Sequence, residues 1–238
     1  MKFIDGIEVA NPFFLAPMAG VTDHAFRTIC AEKGAALTYT EMVSAKALCY
    51  SDRKTAELLS IAGEHRPCFA QIFGSEPEVC AKGAVLALKI SRADGIDINM
   101  GCPMPKIVKN GEGSALMRDT DRIYRLVKAV SAAVDVPVTV KCRLGWDKGN
   151  INVLDFTKRM EDSGAAMVTV HGRTRAMLYS GVADWDYIRK VKEQLSIPVI
   201  ANGDIVDEQS ALRCLKWTGA DGIMIGRATF GDPWIFSR

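Results

Sequence analysis

The sequence predicts a (β/α)8 barrel, the α/β class often called a TIM barrel. Two observations carry this. Strand-like and helix-like segments alternate eight times between residue 13 and the last residues of the 238-residue chain, which implies a parallel sheet with helical crossovers. Strands such as Val136-Pro137-Val138-Thr139-Val140 are almost continuously apolar, as expected for a sheet buried on both faces. Eight such units are the barrel's count. A doubly wound dinucleotide fold fits less well, because no GxGxxG follows the first strand.

The elements follow in order. Residues 2–11 read as a short hairpin turning at Asp5-Gly6, a strong turn dipeptide. The apolar run 13–16 is the first strand. Asp23 is an N-cap candidate for a helix from His24 that ends near Gly34. Strands are expected at 36–40, 68–73, 95–99, 137–142, 167–170, 198–201 and 221–225. Between them fall a poorly patterned helical stretch at 44–61 and helices at 76–90, 153–163 and 185–195. Asp119 or Thr120 caps a further helix, in which Ile123, Leu126, Val127, Val130 and Val134 form one apolar stripe. Asp207 caps another that reaches Trp217, with Gly219 beyond it. An eighth helix is expected to begin over 229–237. One domain, 1–238, accounts for the whole length.

Composition excludes little and permits much. A formal charge of +2 neither requires nor excludes a nucleic-acid partner. Seven cysteines form no CxxC pair, which suits reduced thiols in the cytoplasm. There is no apolar leader and no run approaching the ~18 residues of a membrane span. The three histidines are scattered without metal-site spacing.

Barrel active sites gather at the C-terminal ends of the strands. Those ends carry Pro17-Met18-Ala19, Glu41, Gln71, Asn99 with Cys102, Lys141 with Arg143, His171 with Arg173, Asn202-Gly203-Asp204 and Gly226-Arg227. Any one of these is more often structural than catalytic, and an isolated cysteine is usually a small buried hydrophobe. Their joint placement is the signal. Pro103 and Pro105 are expected to keep the loop after Cys102 extended and the thiol displayed. The glycines after strands seven and eight suit the phosphate-binding corner of this fold, with Arg227 adding a charge-assisted fork. Lys141 is expected across the mouth, a flavin's length away, where a cation stabilises charge on the N1–C2=O edge of a reduced flavin. Gln71 offers donors and an acceptor to the ring's pyrimidine edge. One phosphate corner without a dinucleotide fingerprint points to FMN.

With these residues in place the chain resembles the tRNA-dihydrouridine synthases, most closely the bacterial B-type subfamily. The matching stretches are Ala16-Pro17-Met18-Ala19-Gly20-Val21-Thr22-Asp23, Asp97-Ile98-Asn99-Met100-Gly101-Cys102-Pro103, Val138-Thr139-Val140-Lys141-Cys142-Arg143, Val170-His171-Gly172-Arg173-Thr174, Ile200-Ala201-Asn202-Gly203-Asp204 and Met224-Ile225-Gly226-Arg227. The Asn-Met-Gly-Cys-Pro stretch is specific, whereas Asn-Gly-Asp and Ile-Gly-Arg recur in other FMN barrels.

The resemblance implies that NADPH reduces bound FMN, that hydride passes to C6 of a uracil in tRNA, and that a cysteine, here Cys102, protonates C5. It carries Pro17, Met18, Ala19, Gln71, Lys141, Asn202, Gly203, Asp204, Gly226 and Arg227 over as flavin contacts. His171 carries over as a residue at the flavin or substrate, and Asn99 as a uracil contact. It implies a monomer and no metal. It also implies a C-terminal helical tRNA-gripping domain of roughly eighty residues, which is not in this sequence. Arg143 and Arg173 are read, from their positions alone, as tRNA contacts. Two alternatives stand beside this reading: an FMN barrel acting on a free small molecule, and a non-catalytic flavin- or RNA-binding module.

Overall fold

A computed structural model describes residues 2–4, 6–50 and 52–237. Strands β1 (Lys2–Ile4) and β2 (Ile7–Glu8) pair antiparallel, with Lys2 opposite Glu8. This is the expected hairpin, although Asp5 in its turn lies outside the described residues.

The barrel is built from β3 (Phe13–Leu15), β4 (Thr38–Tyr39), β6 (Cys68–Phe73), β7 (Gly95–Met100), β8 (Val138–Arg143), β9 (Met167–His171), β10 (Val199–Asn202) and β11 (Gly222–Ile225). A short β5 (Val43–Ser44) pairs with β6 off the main path. The spatial order is β3-β11-β10-β9-β8-β7-β6-β4, every pair parallel. A parallel bridge between Phe14 and Leu37 closes the ring, with Leu15 N donating to Leu37 O at 3.0 Å. The predicted (β/α)8 barrel is therefore the observed fold.

Two cores result from the alternation of side chains along each strand. Outward-facing residues pack against the helices, among them α1 (His24–Glu32), α4 (Pro77–Ser91), α6 (Thr120–Ala133), α7 (Val153–Asp162), α8 (Trp185–Gln194) and α9 (Glu208–Thr218). On α6 the stripe Ile123, Leu126, Val127 and Val130 is fully buried. Each such side chain contributes about 1.5–3 kcal/mol by leaving water. Asp119 caps that helix by accepting from Arg122 N at 3.0 Å. The second core fills the barrel's lower interior with Phe14, Leu37, Tyr39, Phe69, Met167, Ile200 and Met224. The hairpin plugs it, Phe3 meeting Phe14 edge-on at 5.2 Å. The upper interior is polar, and that is where the site begins.

Three expectations need correction. The 44–61 stretch is not one helix but β5 followed by α2 (Ala45–Cys49) and α3 (Arg53–Glu57). Ser44 and Asp52 each cap a new helix start, accepting from Ala47 N and Thr55 N, so two short helices replace one long one. The chain after Cys102 is extended only as far as Met104. Pro105 then opens α5 (Pro105–Val108), because its fixed φ also suits the first position of a helix. In place of an eighth α-helix, 3₁₀ turns occupy Arg227–Thr229 and Pro233–Phe236. Gly231, at φ +72°, and Pro233 separate them.

Among the described residues no helix is long and apolar enough to cross a membrane, and no cluster of three or more His, Cys, Asp or Glu side chains is placed to hold a metal.

Candidate active site

The C-terminal strand ends surround one cavity of about 730 Å³. Pro17, Met18, Ala19, Asn99, Cys102, Lys141, Arg143, His171, Asn202, Gly203, Asp204, Gly226 and Arg227 all line it. Of the strand-end residues expected there, Glu41, Gln71 and Arg173 do not; Glu41 Oε2 accepts from Gly20 N at 2.6 Å instead.

Gln71 lies one layer below. Its Nε2 donates to Asp97 Oδ2 at 2.6 Å, and its Oε1 accepts from Asn99 Nδ2 at 3.0 Å. Asp97 Oδ1 accepts from Thr139 Oγ1 at 2.6 Å. Asn99 Oδ1 in turn accepts from Gly101 N at 3.2 Å and Cys102 N at 2.9 Å. Asp97, acceptor-only when ionised, thus orients the Gln71 amide, which orients Asn99, which holds the backbone of Cys102. Gln71 is a support for Asn99 here, not a direct contact of the cavity. Asp97 belongs to the matching stretch through Cys102, but the sequence assigns it no role in the site. It shows there as an inward charge two residues before Asn99, the same face of β7.

Lys141 also departs from expectation. Its Nζ donates to Asn202 Oδ1 at 3.2 Å, so it reaches the corner that a flavin's length was expected to separate from it. Only β9 lies between β8 and β10, and a lysine side chain spans that gap. Asn202 Nδ2 donates to Met224 O at 2.7 Å, so the amide is an anchor between strands.

Arg143 and Arg173 differ from free phosphate-binding cations. Arg143 donates from Nε to Gly101 O at 2.8 Å, and from Nη1 to Thr174 O at 3.0 Å and Leu178 O at 2.8 Å. It lines the cavity, but it is largely committed to tying two loops together. Arg173 is 2% exposed and donates to Asp204 Oδ1 at 2.7 Å, Asp204 Oδ2 at 2.8 Å, Gly181 O at 2.8 Å and Ser180 O at 3.0 Å. Its burial removes it from any RNA surface. Gly203 sits at φ +117°, and a Cβ there would lie 2.9 Å from His171 Cδ2 and from Ala183 Cβ.

A match to the dihydrouridine synthase family model spans residues 14–238. The chain belongs to the dihydrouridine synthase family. It is 47% identical over 228 residues to a probable tRNA-dihydrouridine synthase of Rhizobium leguminosarum, covering 96% of this chain and 71% of that one. It is 47% identical over 221 residues to a probable tRNA-dihydrouridine synthase 1 of Synechocystis, covering 92% and 62%. It is 46% identical over 228 residues to tRNA-dihydrouridine synthase B of Pseudomonas syringae, covering 96% and 67%. The barrel is also similar to that of histamine dehydrogenase from a Rhizobium species, with TM-score 0.74 and 14% identity, over 95% of this chain and 45% of that one. A 6-hydroxypseudooxynicotine amine oxidase from Pseudomonas geniculata gives TM-score 0.73 and 14% identity, over 96% and 46%. At that identity these two speak to the fold alone.

In this dihydrouridine synthase barrel the electrostatics are set by burial among cations. Burial, and then the neighbouring Arg143 charge, lower Lys141 to about 8, against the opposing pull of Asp97. Burial, reinforced by Lys141, Arg143, Arg173 and Arg227, holds His171 well below the usual imidazole range, so it is neutral. Its Nε2 lies 3.4 Å from Arg173 Nη1. A guanidinium only donates, so Nε2 is the acceptor and Nδ1 carries the proton. Burial raises the Cys102 thiol above its ordinary value, outweighing the Met104 backbone and the Arg143 and Lys141 charges. Cys102 is therefore a protonated thiol at neutral pH. Tyr179, unremarked in the sequence, lines the mouth with Arg227 at 4.8 Å and Arg143 at 5.6 Å from its ring centre. Nothing in its loop's composition singles it out.

Proposed function

We propose that this chain is the FMN-binding catalytic barrel of a tRNA-dihydrouridine synthase. It reduces uridines in tRNA to 5,6-dihydrouridine, draws on NADPH, and works as a cytoplasmic monomer in which residues 1–238 form one unit. The single observation that carries the reading is the protonated Cys102 facing a cavity walled by Lys141, neutral His171 and Arg227. The names of the relatives support the tRNA substrate.

The cavity fits the cofactor. Its volume is within the about 300–1,000 Å³ of small-molecule sites. Its walls are apolar at Met18 and Met224, and Lys141, Arg143 and Arg227 place cations on it, Arg143 being committed to loop carbonyls. Gly203 lets the Asp204 loop pack directly on His171 and Ala183, where a Cβ would clash, and Gly226 turns the Arg227 loop beside Ala16 and Met18. Bound FMN would supply hydride to C6 of the uracil.

The chain's own residues do the rest. Lys141 offers a positive charge to the cofactor's pyrimidine edge. Arg227, half exposed and 3.7 Å from Asp204, is available to a phosphate. Asn99 Nδ2 has a weak contact to Met42 Sδ at 3.4 Å, the one a uracil carbonyl would displace. Cys102 Sγ holds the proton that C5 receives. A uridine in folded RNA reaches this floor only when flipped out of its stack.

The visible spectrum of the purified protein tests this. A flavin absorbance that bleaches anaerobically with NADPH and recovers on adding tRNA lacking dihydrouridine is the expected result. Recovery with free uracil or an enone instead would favour a small-molecule enzyme, and a colourless protein that cannot take up FMN removes the cofactor. A second prediction concerns Lys141. FMN affinity of the flavin-free protein should fall as pH rises from 7 through about 8, as the lysine loses its charge. Titration of Lys141→Gln should show weaker binding without that pH dependence.

A further inference from the structure

Outside the main cavity, the same rim carries a second hollow of about 630 Å³, lined by Met117, Arg118, Trp146, Asp147, Asn150 and Asn152 among others. The Arg118 guanidinium lies 4.8 Å from the Trp146 ring centre, and that of Arg175 lies 4.6 Å from it. The geometry points to a second RNA-binding site here, in which Arg118, Trp146 and Arg175 hold the sugar–phosphate backbone and a base of the same tRNA, away from the reacting uridine. The inference rests on the tRNA reading above.

Three observations support it. First, these two arginines are unlike the others at the rim. Arg143 and Arg173 have their N–H groups on loop carbonyls or Asp204, whereas among the described residues neither Arg118 nor Arg175 makes an ion pair or a side-chain hydrogen bond to protein. Only the ring faces hold them. A guanidinium oriented by an aromatic and left with free donors suits a phosphate fork, and its plane suits a stacked base.

Second, the platform is rigid before anything binds. Trp146 sits in a loop closed by the Gly145–Ile151 bridge, and Trp146 N donates to Asn150 O at 3.1 Å. Gly145 is at φ +149°, and a Cβ there would lie 2.1 Å from Asn150 O, so the loop closes only around a glycine. Asp147, the one acid lining the hollow among the described residues, accepts from Gly149 N and Asn150 Nδ2 within that turn.

Third, the site is tied to Cys102. The 3₁₀ segment Gly113–Arg118 ends on Arg118, and near its start Ser114 donates from N and Oγ to Cys102 O, both at 3.0 Å. At ~2 Å per residue the segment spans roughly 8 Å between Ser114 and Arg118, a distance one strand of RNA covers in a nucleotide or two. The 172–184 loop joins from the other side, Arg175 N donating to Gly145 O and Ala176 N to Trp146 O, each at 2.9 Å.

Affinity for tRNA lacking dihydrouridine, measured across a salt series, tests the inference. Arg118→Gln/Arg175→Gln should weaken binding about 10- to 100-fold and flatten the slope of log K against log salt by about 2. Trp146→Ala should also weaken it, and Trp146→Phe should restore most of the loss. NADPH oxidation and flavin content should stay at wild-type values, and Lys128→Gln, on the outer helix α6, should leave binding unchanged. Wild-type affinity and slope in the double variant, while the unaltered protein still modifies tRNA, would overturn this site and leave the proposed function intact. A raised KM for NADPH with unchanged tRNA affinity would overturn it in favour of a dinucleotide. An unaltered protein that neither binds nor modifies tRNA would remove both readings.

Discussion

Cys102→Ala is expected to lower dihydrouridine formation about 10²- to 10⁴-fold, the usual contribution of a positioned general acid, while FMN stays bound and NADPH still bleaches it. The reasoning separates the side chain from its backbone. The loop is held by Cys102 N on Asn99 Oδ1 at 2.9 Å and by Cys102 O accepting from Ser114. An alanine keeps both. What it loses is the Sγ–H alone, a group that burial keeps protonated. Cys102→Ser should rescue little, because a hydroxyl is a far weaker acid than a thiol. Quantifying dihydrouridine in tRNA after single turnover, beside the rate of flavin bleaching, checks both halves. Undiminished dihydrouridine formation would remove Cys102 from the acid's role. Lost flavin would mean that the thiol also shapes the cofactor's bed.

The same loop shows how far the sequence could be read. Strand β6 falls at Cys68–Phe73, where an apolar run leaves only one reading. Strand ends were also legible, because polar residues cluster there in a barrel. Depth along the barrel axis was not. Gln71 and Asn99 both lie near the C-terminal ends of their strands, yet Asn99 reaches the cavity and Gln71 lies beneath it. The stagger of neighbouring strands decides this, Gln71 pairing with Asp97 and Asn99 with Lys141, and no single strand's sequence contains it. Arg173 was misplaced for a related reason. Its partner Asp204 is 31 residues away on the next loop, and only the fold brings them together. Trp146 and Tyr179 belong to loops whose course no periodicity records. Asp97 could have been found, since a charge on the inward face of a buried strand needs partners, and Gln71 and Thr139 on either side supply them.

The second large effect is on stability, and it reaches the cavity through a loop. Arg27 on α1 is 1% exposed, and its partner Glu64 has a side chain 2% exposed. The pair is bidentate, Nε donating to Oε2 at 2.9 Å and Nη2 to Oε1. Arg27 Nη1 also donates to Thr22 O at 2.6 Å, and Nη2 to Ser60 O at 2.8 Å. Arg27→Met leaves the Glu64 carboxylate buried without its cation, a situation that costs about 3–5 kcal/mol. For a barrel of this size that corresponds to a fall in melting temperature of roughly 6–20 °C. Thr22 meanwhile holds the Met18 turn through Oγ1, which accepts from Met18 N at 2.9 Å, and Met18 lines the cavity. Flavin affinity should therefore fall together with stability. Arg27→Met combined with Glu64→Leu removes both charges and should recover at least half of the lost stability. It should not recover all of it, because Thr22 O and Ser60 O still lack their donor. Thermal unfolding of the three proteins decides between a buried pair and an incidental one. A single variant melting within about 2 °C of the unaltered protein, a difference of about 1 kcal/mol or less, or a double variant no better than the single one, would show that the pair does not hold this corner of the barrel.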